Sequence, residues 1–172
     1  MGGIGAHTRP NAGYTDEWLT PPEIVRALGA FDLDPCTPET MPWETAKQRF
    51  TPKDNGLLKE WRGRVWLNPP YGAQIGRWMA RMAEHRSGVA LVYARSETRW
   101  FHQFVWPHAT ALLFLEGRLH FHYATGHRSI RNAGGPSVLI AYSFKDAVLL
   151  AESGIKGKLI LNTVNQTMKG SA

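Results

Sequence analysis

Residues 88–94, GVALVYA, form an almost unbroken apolar run. A strand with one wet face alternates apolar and polar side chains, because successive side chains point to opposite faces. This run does not alternate, so a strand here needs both faces covered, and helices on two sides of a sheet supply that cover. That single requirement points to an α/β sandwich.

The rest of the chain is consistent with such a sandwich. Pro21-Pro22 suits a helix start, with Thr20 as N-cap, Glu23 at capping-box spacing and Gly29 at the close. FDLDPC (31–36) reads as a short strand ending in a turn. RVWL (64–67) reads as a second strand, and IGRWMARMAEHR (75–86) as an amphipathic helix with Ile75, Trp78, Met79 and Met82 on one face. ETRWFHQFVW (97–106) is helical and stopped by Pro107. Between the first two strands, TPETMPWETAKQRF (37–50) reads as loop with a short helical patch, and TPKDNGLLKEWRG (51–63) as a turn followed by one or two helical turns. ATALLFLEGRLHFHY (109–123) predicts one long strand, bent near Gly117. It returns through a turn-rich segment to SVLIAYSF (137–144), as an antiparallel pair at a sheet edge. A short helix and a last strand from Lys156 follow. The expected organisation is a flexible tail over 1–14, one domain over 15–165 and a C-terminal tail over 166–172.

In an open α/β sheet the ligand site lies beyond the carboxyl ends of the strands. Two such ends carry distinctive residues, Asp34-Pro35-Cys36 and Asn68-Pro69-Pro70-Tyr71. Two prolines end a strand at once, since neither has an N–H for the ladder. The turn they lock presents two acceptors, the Asn68 side-chain oxygen and the Pro69 carbonyl, with little local competition from donors. Tyr71 adds a flat face. Together these suit a planar ring bearing an NH2 group.

The 172 residues carry a net charge of +6, which favours a polyanionic partner. No apolar run approaches the roughly 18 residues of a membrane span, and the first residues lack the apolar core of a signal peptide. Cys36 is the only cysteine, so no internal disulfide and no cysteine-based zinc site is expected. A cytoplasmic location follows. His120 and His122 share a strand face without an acidic or cysteine ligand close by, so no metal is expected.

Asn68-Pro69-Pro70-Tyr71 resembles the catalytic motif of amino-group methyltransferases that use S-adenosylmethionine. More closely, the chain resembles the phage-type DNA N6-adenine methyltransferases, the small Dam-like family. The matching pieces are DEWLTPPEI, FDLDPC, DNGLLKEWRGRVWLNPPYG, ARSETRWFHQF, and LEGRLHF with GGPSVLIAY, in that order over 16–142. The resemblance implies a Rossmann-like sandwich with a mixed, mostly parallel sheet and a late antiparallel hairpin. It implies S-adenosylmethionine as cofactor and the exocyclic amine of a flipped adenine in double-stranded DNA as substrate. Asn68, Pro69 and Tyr71 would hold the target base. Trp18, Thr20 and Pro21 would lie under the methionine end of the cofactor. Asp34, Pro35 and Cys36 would form the strand-end cofactor motif, with Asp34 facing the ammonium, and Asp54 would hold the adenine amine. Arg95, Arg118, His120, Arg128 and Arg131 are the candidate DNA contacts; of the arginines in 117–135, Arg118 best matches the family pattern.

The chain departs from most methyltransferases after Asp34, where Pro38-Glu39-Thr40 stands in place of a glycine-rich loop, and only Glu44 offers an acid for the ribose. The motif by itself admits cytosine N4, RNA adenine or a glutamine amide as acceptor, although the basic charge argues against the last. The missing loop also leaves room for a DNA-binding relative without activity. A monomer or weak homodimer in the cytoplasm of a bacterial host, of phage or prophage origin, completes the expectation.

Overall fold

The computed structural model describes residues 18–130 and 132–162. The terminal tails expected over 1–14 and 166–172, and the candidate DNA contact Arg131, lie outside the described residues. A seven-stranded sheet organises the chain, with strands β1 (Leu33–Asp34), β2 (Gln48–Arg49), β3 (Val65–Leu67), β4 (Gly88–Tyr93), β5 (Ala111–Leu115), β6 (Ser137–Ala141) and β7 (Gly157–Leu161). Their spatial order is β2-β1-β3-β4-β6-β5-β7. The pairs β2/β1, β1/β3 and β3/β4 are parallel, while β4/β6, β6/β5 and β5/β7 are antiparallel. Two successive reversals restore direction, so β5 runs with β4. Five of the seven strands point one way, and only β6 and β7 oppose them.

β4 supplies the central ladder, and its run from Gly88 to Val92 is buried throughout. Alternate side chains of the sheet feed two cores. Val65, Leu67, Ala90, Val92 and Ile140 face α2 (Ile75–His85) and α3 (Arg99–Phe104), which bury Met79, Met82 and Phe101 against them. Trp66, Val89, Leu91 and Leu139 face the other side, with Val25 from α1 (Pro22–Ala27) and Ala147 and Leu150 from α4 (Phe144–Glu152). The sandwich inferred from 88–94 is therefore the observed architecture. Gly88 opens β4 with φ +129°, and a Cβ there would stand 2.0 Å from the Val65 carbonyl oxygen, so no side chain fits where the two strands meet.

At the edge of the sheet opposite the strand carboxyl ends, a buried ion pair ties the layers together. Arg64, just before β3, donates through Nε to Asp146 of α4 at 2.6 Å, and through Nη1 to the carbonyls of Leu28 and Ala30. The second Asp146 oxygen accepts the Gly88 N–H at 2.7 Å. One carboxylate thus joins β3, β4 and α4.

Several local expectations need correction. Pro21, not Thr20, is the N-cap of α1, and no side chain caps it, because Thr20 is drawn inward and buried. Residues 37–50 contain no helix; they end in β2, which pairs with β1. Residues 51–63 form successive turns without an α-helix. The long strand over 109–123 stops at Leu115. Its partner β6 is preceded by Gly134-Gly135-Pro136, where proline has no N–H to extend the ladder and glycine weakens a strand. Beyond Gly117 (φ +76°) only isolated bridges remain, Leu19 with His122 and His122 with Arg128. The β5/β6 pair is antiparallel as expected but interior, since β7 takes the edge.

Candidate active site

The chain leaves β1 outward to β2 and then crosses back over β1 to β3, so neighbouring strands β1 and β3 diverge in connection at their carboxyl ends. That is a topological switch point, where open sheets hold ligands. A cavity of about 370 Å³ lies there. Asp34, Pro35 and Cys36 line it from β1, and Asn68, Pro69, Pro70 and Tyr71 from β3. Two motifs 34 residues apart in sequence (Asp34 and Asn68) thus share one wall.

The orientation of the Asn68 amide follows from its partner. Its Nδ2 donates to the backbone carbonyl of Trp18 at 3.1 Å. A carbonyl can only accept, so the nitrogen must face Trp18. The side-chain oxygen is left buried and without any partner among the described residues. A buried, unpartnered acceptor is costly unless a ligand donor completes it. The Asn68 backbone carbonyl is occupied separately, accepting from the Cys36 thiol at 3.2 Å.

Asp34 is 4% exposed. One of its oxygens accepts from the Thr45 hydroxyl at 2.6 Å and the other from the Cys36 N–H at 3.2 Å. Burial outweighs these bonds and raises the carboxyl pKa above its ordinary value. A ligand cation beside it would reverse that shift. Burial, and then the neighbouring Asp34 charge, also push the Cys36 thiol well above its usual range. The thiol stays protonated and acts as a donor, not as a nucleophile.

Tyr71 stacks on Tyr93, with ring centroids 4.2 Å apart and planes 16° from parallel. Its hydroxyl is buried without a partner among the described residues, and burial raises its pKa further from neutrality. The ring therefore serves as an apolar face.

The chain matches the model of the family described as DNA N-6-adenine-methyltransferase (Dam) over residues 7–169, nearly its whole length. It belongs to the Dam family of DNA adenine methyltransferases. No curated protein sequence and no solved structure matches it. The Asn-Pro-Pro-Tyr turn of this methyltransferase and its Asp-Pro-Cys strand end are thus parts of an enzyme that modifies adenine in DNA.

The remaining expected site residues of the methyltransferase divide into those the fold brings to the cavity and those it does not. Trp18 and Thr20 line the cavity, whereas Pro21 is turned into the helix start. Asp54 is not on the wall. Its carboxylate accepts the N–H and hydroxyl of Thr51, and the Thr51 N–H holds its pKa low. The next residue, Asn55, takes a left-handed conformation (φ 54°) and reaches the cavity instead. Gly56 follows it because a Cβ there would meet the Pro35 carbonyl oxygen at 1.9 Å. Glu44 is exposed and off the wall, while adjacent Thr45 points inward to Asp34. Thr45 and Asn55 escaped sequence reasoning by one position each. The inward residue of a loop has no periodicity to reveal it, although the left-handed preference of asparagine before glycine was a usable signal for Asn55.

Among the candidate DNA contacts, Arg95 follows β4 and is exposed, with its carbonyl capped by Thr98. Arg118 is exposed and donates through Nη1 to the Ala133 carbonyl at 3.2 Å. His120 pairs through Nδ1 with the Ser129 carbonyl at 3.2 Å, and Arg128 is exposed beside the bridge to His122. The segment carrying them closes onto the cavity wall, because Leu19 and His122 exchange two backbone bonds of 2.9 Å. Arg118, His120 and Arg128 therefore sit on a segment fastened next to Thr20 and Trp18, while Arg95 stands apart on the loop between β4 and α3.

Proposed function

We propose that this methyltransferase transfers a methyl group from S-adenosylmethionine to N6 of an adenine flipped out of double-stranded DNA. The carrying observation is the buried side-chain oxygen of Asn68, held without a partner on the wall of the cavity while its amide nitrogen is committed to Trp18. A primary amine is the donor it lacks.

The cavity fits the cofactor chemically. Its volume lies within the range of small-molecule sites. One wall carries the buried Asp34 carboxylate, which suits an ammonium. Trp18, Pro35 and Cys36 offer apolar surface. Thr20 contributes a buried hydroxyl without a partner among the described residues. When bound, the cofactor supplies an electrophilic sulfonium methyl.

Asn68 and the Pro69 carbonyl accept from the adenine amine and draw its lone pair out of ring conjugation. Tyr71 stacks on the base. Positioning and electrostatics then carry the reaction, with no covalent link to the protein. Extrusion of the base is required because the reacting atom is inaccessible in a duplex. The net charge of +6 supports a DNA backbone contact, with Arg95, Arg118, His120 and Arg128 as its bearers. The family reading also supports one methyltransferase domain over 15–165. We also propose a monomer or weak homodimer in a bacterial cytoplasm, of phage or prophage origin. Among the described residues no helix is long and apolar enough to cross a membrane.

Asn68→Ala tests the assignment. Transfer, read as N6-methyladenosine by mass spectrometry of digested DNA, is expected to fall at least about 100-fold, with cofactor affinity nearly intact. Retained transfer would remove Asn68 from the mechanism, and N4-methylcytidine as the wild-type product would replace the substrate.

A further inference from the structure

Tyr71 has little of its own to hold it in place. It ends a turn and is followed by Gly72 (φ +146°), where a Cβ would meet nothing within 4 Å. Its hydroxyl bonds to no described residue. The ring contact that does hold it is with Tyr93, 4.2 Å away and 16° from parallel.

Tyr93 is built the opposite way. It is the last residue of β4 and pairs with Ser137 of β6. The Ala94 N–H donates to the Pro136 carbonyl at 2.8 Å, and the Arg95 N–H to the Tyr93 carbonyl at 2.8 Å. Gly135 lies against its ring, and a Cβ added there would stand 3.3 Å from Cδ1 and 3.4 Å from Cγ. At Gly134 an added Cβ would lie 3.8 Å from the Tyr93 hydroxyl. Two glycines thus leave room for the Tyr93 ring along its Cγ–Cδ1–Cε1 side and at its hydroxyl. Tyr71 forms part of the cavity wall and Tyr93 does not.

We propose that Tyr93 is a positioning residue for the target base, a rigid backing ring that fixes the plane of Tyr71. Tyr93, set by the β4/β6 ladder and fitted against Gly134-Gly135, stacks on Tyr71, and Tyr71 in turn stacks on the extruded base. The sheet supplies the stiffness that the proline turn lacks past Pro70, and face-to-face stacking transmits it. This rests on the reading of Tyr71 as the stacking surface for the base. Tyr93 touches no reacting atom; it acts through Tyr71.

The test uses the full-length enzyme and a duplex oligonucleotide carrying a site that the wild type methylates. Three variants are compared, Tyr93→Leu, Tyr93→Phe and Tyr71→Ala. Leucine keeps apolar bulk and removes the flat face; phenylalanine keeps the face and removes the hydroxyl. Tyr93→Leu is expected to lower kcat/KM for DNA about tenfold or more, with melting temperature and cofactor affinity near wild type. Tyr93→Phe is expected to stay within about twofold of wild type. With 2-aminopurine at the target position, the emission of the bound complex is expected to change in Tyr93→Leu and not in Tyr93→Phe.

Wild-type kinetics and emission in Tyr93→Leu, together with a damaged Tyr71→Ala, would overturn the backing role and leave Tyr71 standing. Wild-type behaviour in Tyr71→Ala would overturn the stacking role itself. Equal damage from Phe and Leu at position 93 would assign the effect to the hydroxyl and overturn the stack.

Discussion

The thiol of Cys36 donates to the backbone carbonyl of Asn68 across 3.2 Å, tying the end of β1 to the end of β3. The bond joins the two wall segments of the cavity at the residue that carries the free acceptor. Its geometry requires a protonated sulfur, which burial and the Asp34 charge enforce.

The first prediction concerns that thiol. Alkylation by iodoacetamide at pH 7–8 is expected to run at less than about a tenth of the rate of a free thiol, because the thiolate is the reactive species. Cys36 is the only cysteine, so intact-mass measurement reads the site directly. Cys36→Ala is expected to cost about 1 kcal/mol of stability, the scale of one net hydrogen bond. It should also lower transfer several-fold by loosening the Asn68 turn. Rapid alkylation at neutral pH would contradict the donor role.

The second concerns Asp34. Its folded pKa is raised above the ordinary 3.8 by burial. The ionised form is therefore costlier in the free protein than in water. The stability this group contributes is complete below its unfolded pKa and is lost as pH rises through the folded value. A cationic ligand needs the carboxylate. Affinity for S-adenosylmethionine is thus expected to fall about tenfold per pH unit below the folded pKa of Asp34, with proton release on binding. Titration calorimetry in buffers of different ionisation enthalpy measures both. Asp34→Asn, whose amide can donate to the Thr45 hydroxyl, should fold and flatten this profile while binding weakly. A pH-independent affinity in the wild type would exclude Asp34 as the counter-charge.

The third concerns the far edge of the sheet. Asp146→Ala strands the buried Arg64 guanidinium and removes the acceptor of the Gly88 N–H. A loss of about 3–5 kcal/mol is expected, as for one partner removed from a buried pair. Denaturant unfolding measures it. Arg64 and Gly88 stand at the amino ends of β3 and β4, away from the cavity at the carboxyl ends. Transfer at low temperature should therefore be near wild type. Loss of transfer in a variant still folded at the assay temperature would show that the pair also shapes the site.

The strands with continuous apolar runs, the helices with a clean stripe and the two strand-end motifs are legible in the amino-acid sequence. In each case the signal is local: apolar continuity in 88–94, helical spacing from Ile75 to Met82, and prolines that end β3 at Asn68. Which loop side chains face inward is settled by packing between distant segments. Asn55 reaches the cavity where Asp54 was expected, and Thr45 bonds Asp34 beside an outward Glu44. Such packing also decides that β2 exists, since Gln48–Arg49 is a strand only by virtue of β1 next to it. Tyr93 reads in sequence as one more apolar residue of a buried strand, and its stacking on Tyr71 appears only once β4 and the turn after β3 are brought together. Apolar periodicity and proline act over a few residues of chain. Loop direction and ring stacking are set by partners 11 to 32 residues away, such as Thr45 for Asp34 and Cys36 for Asn68, and no local pattern encodes those.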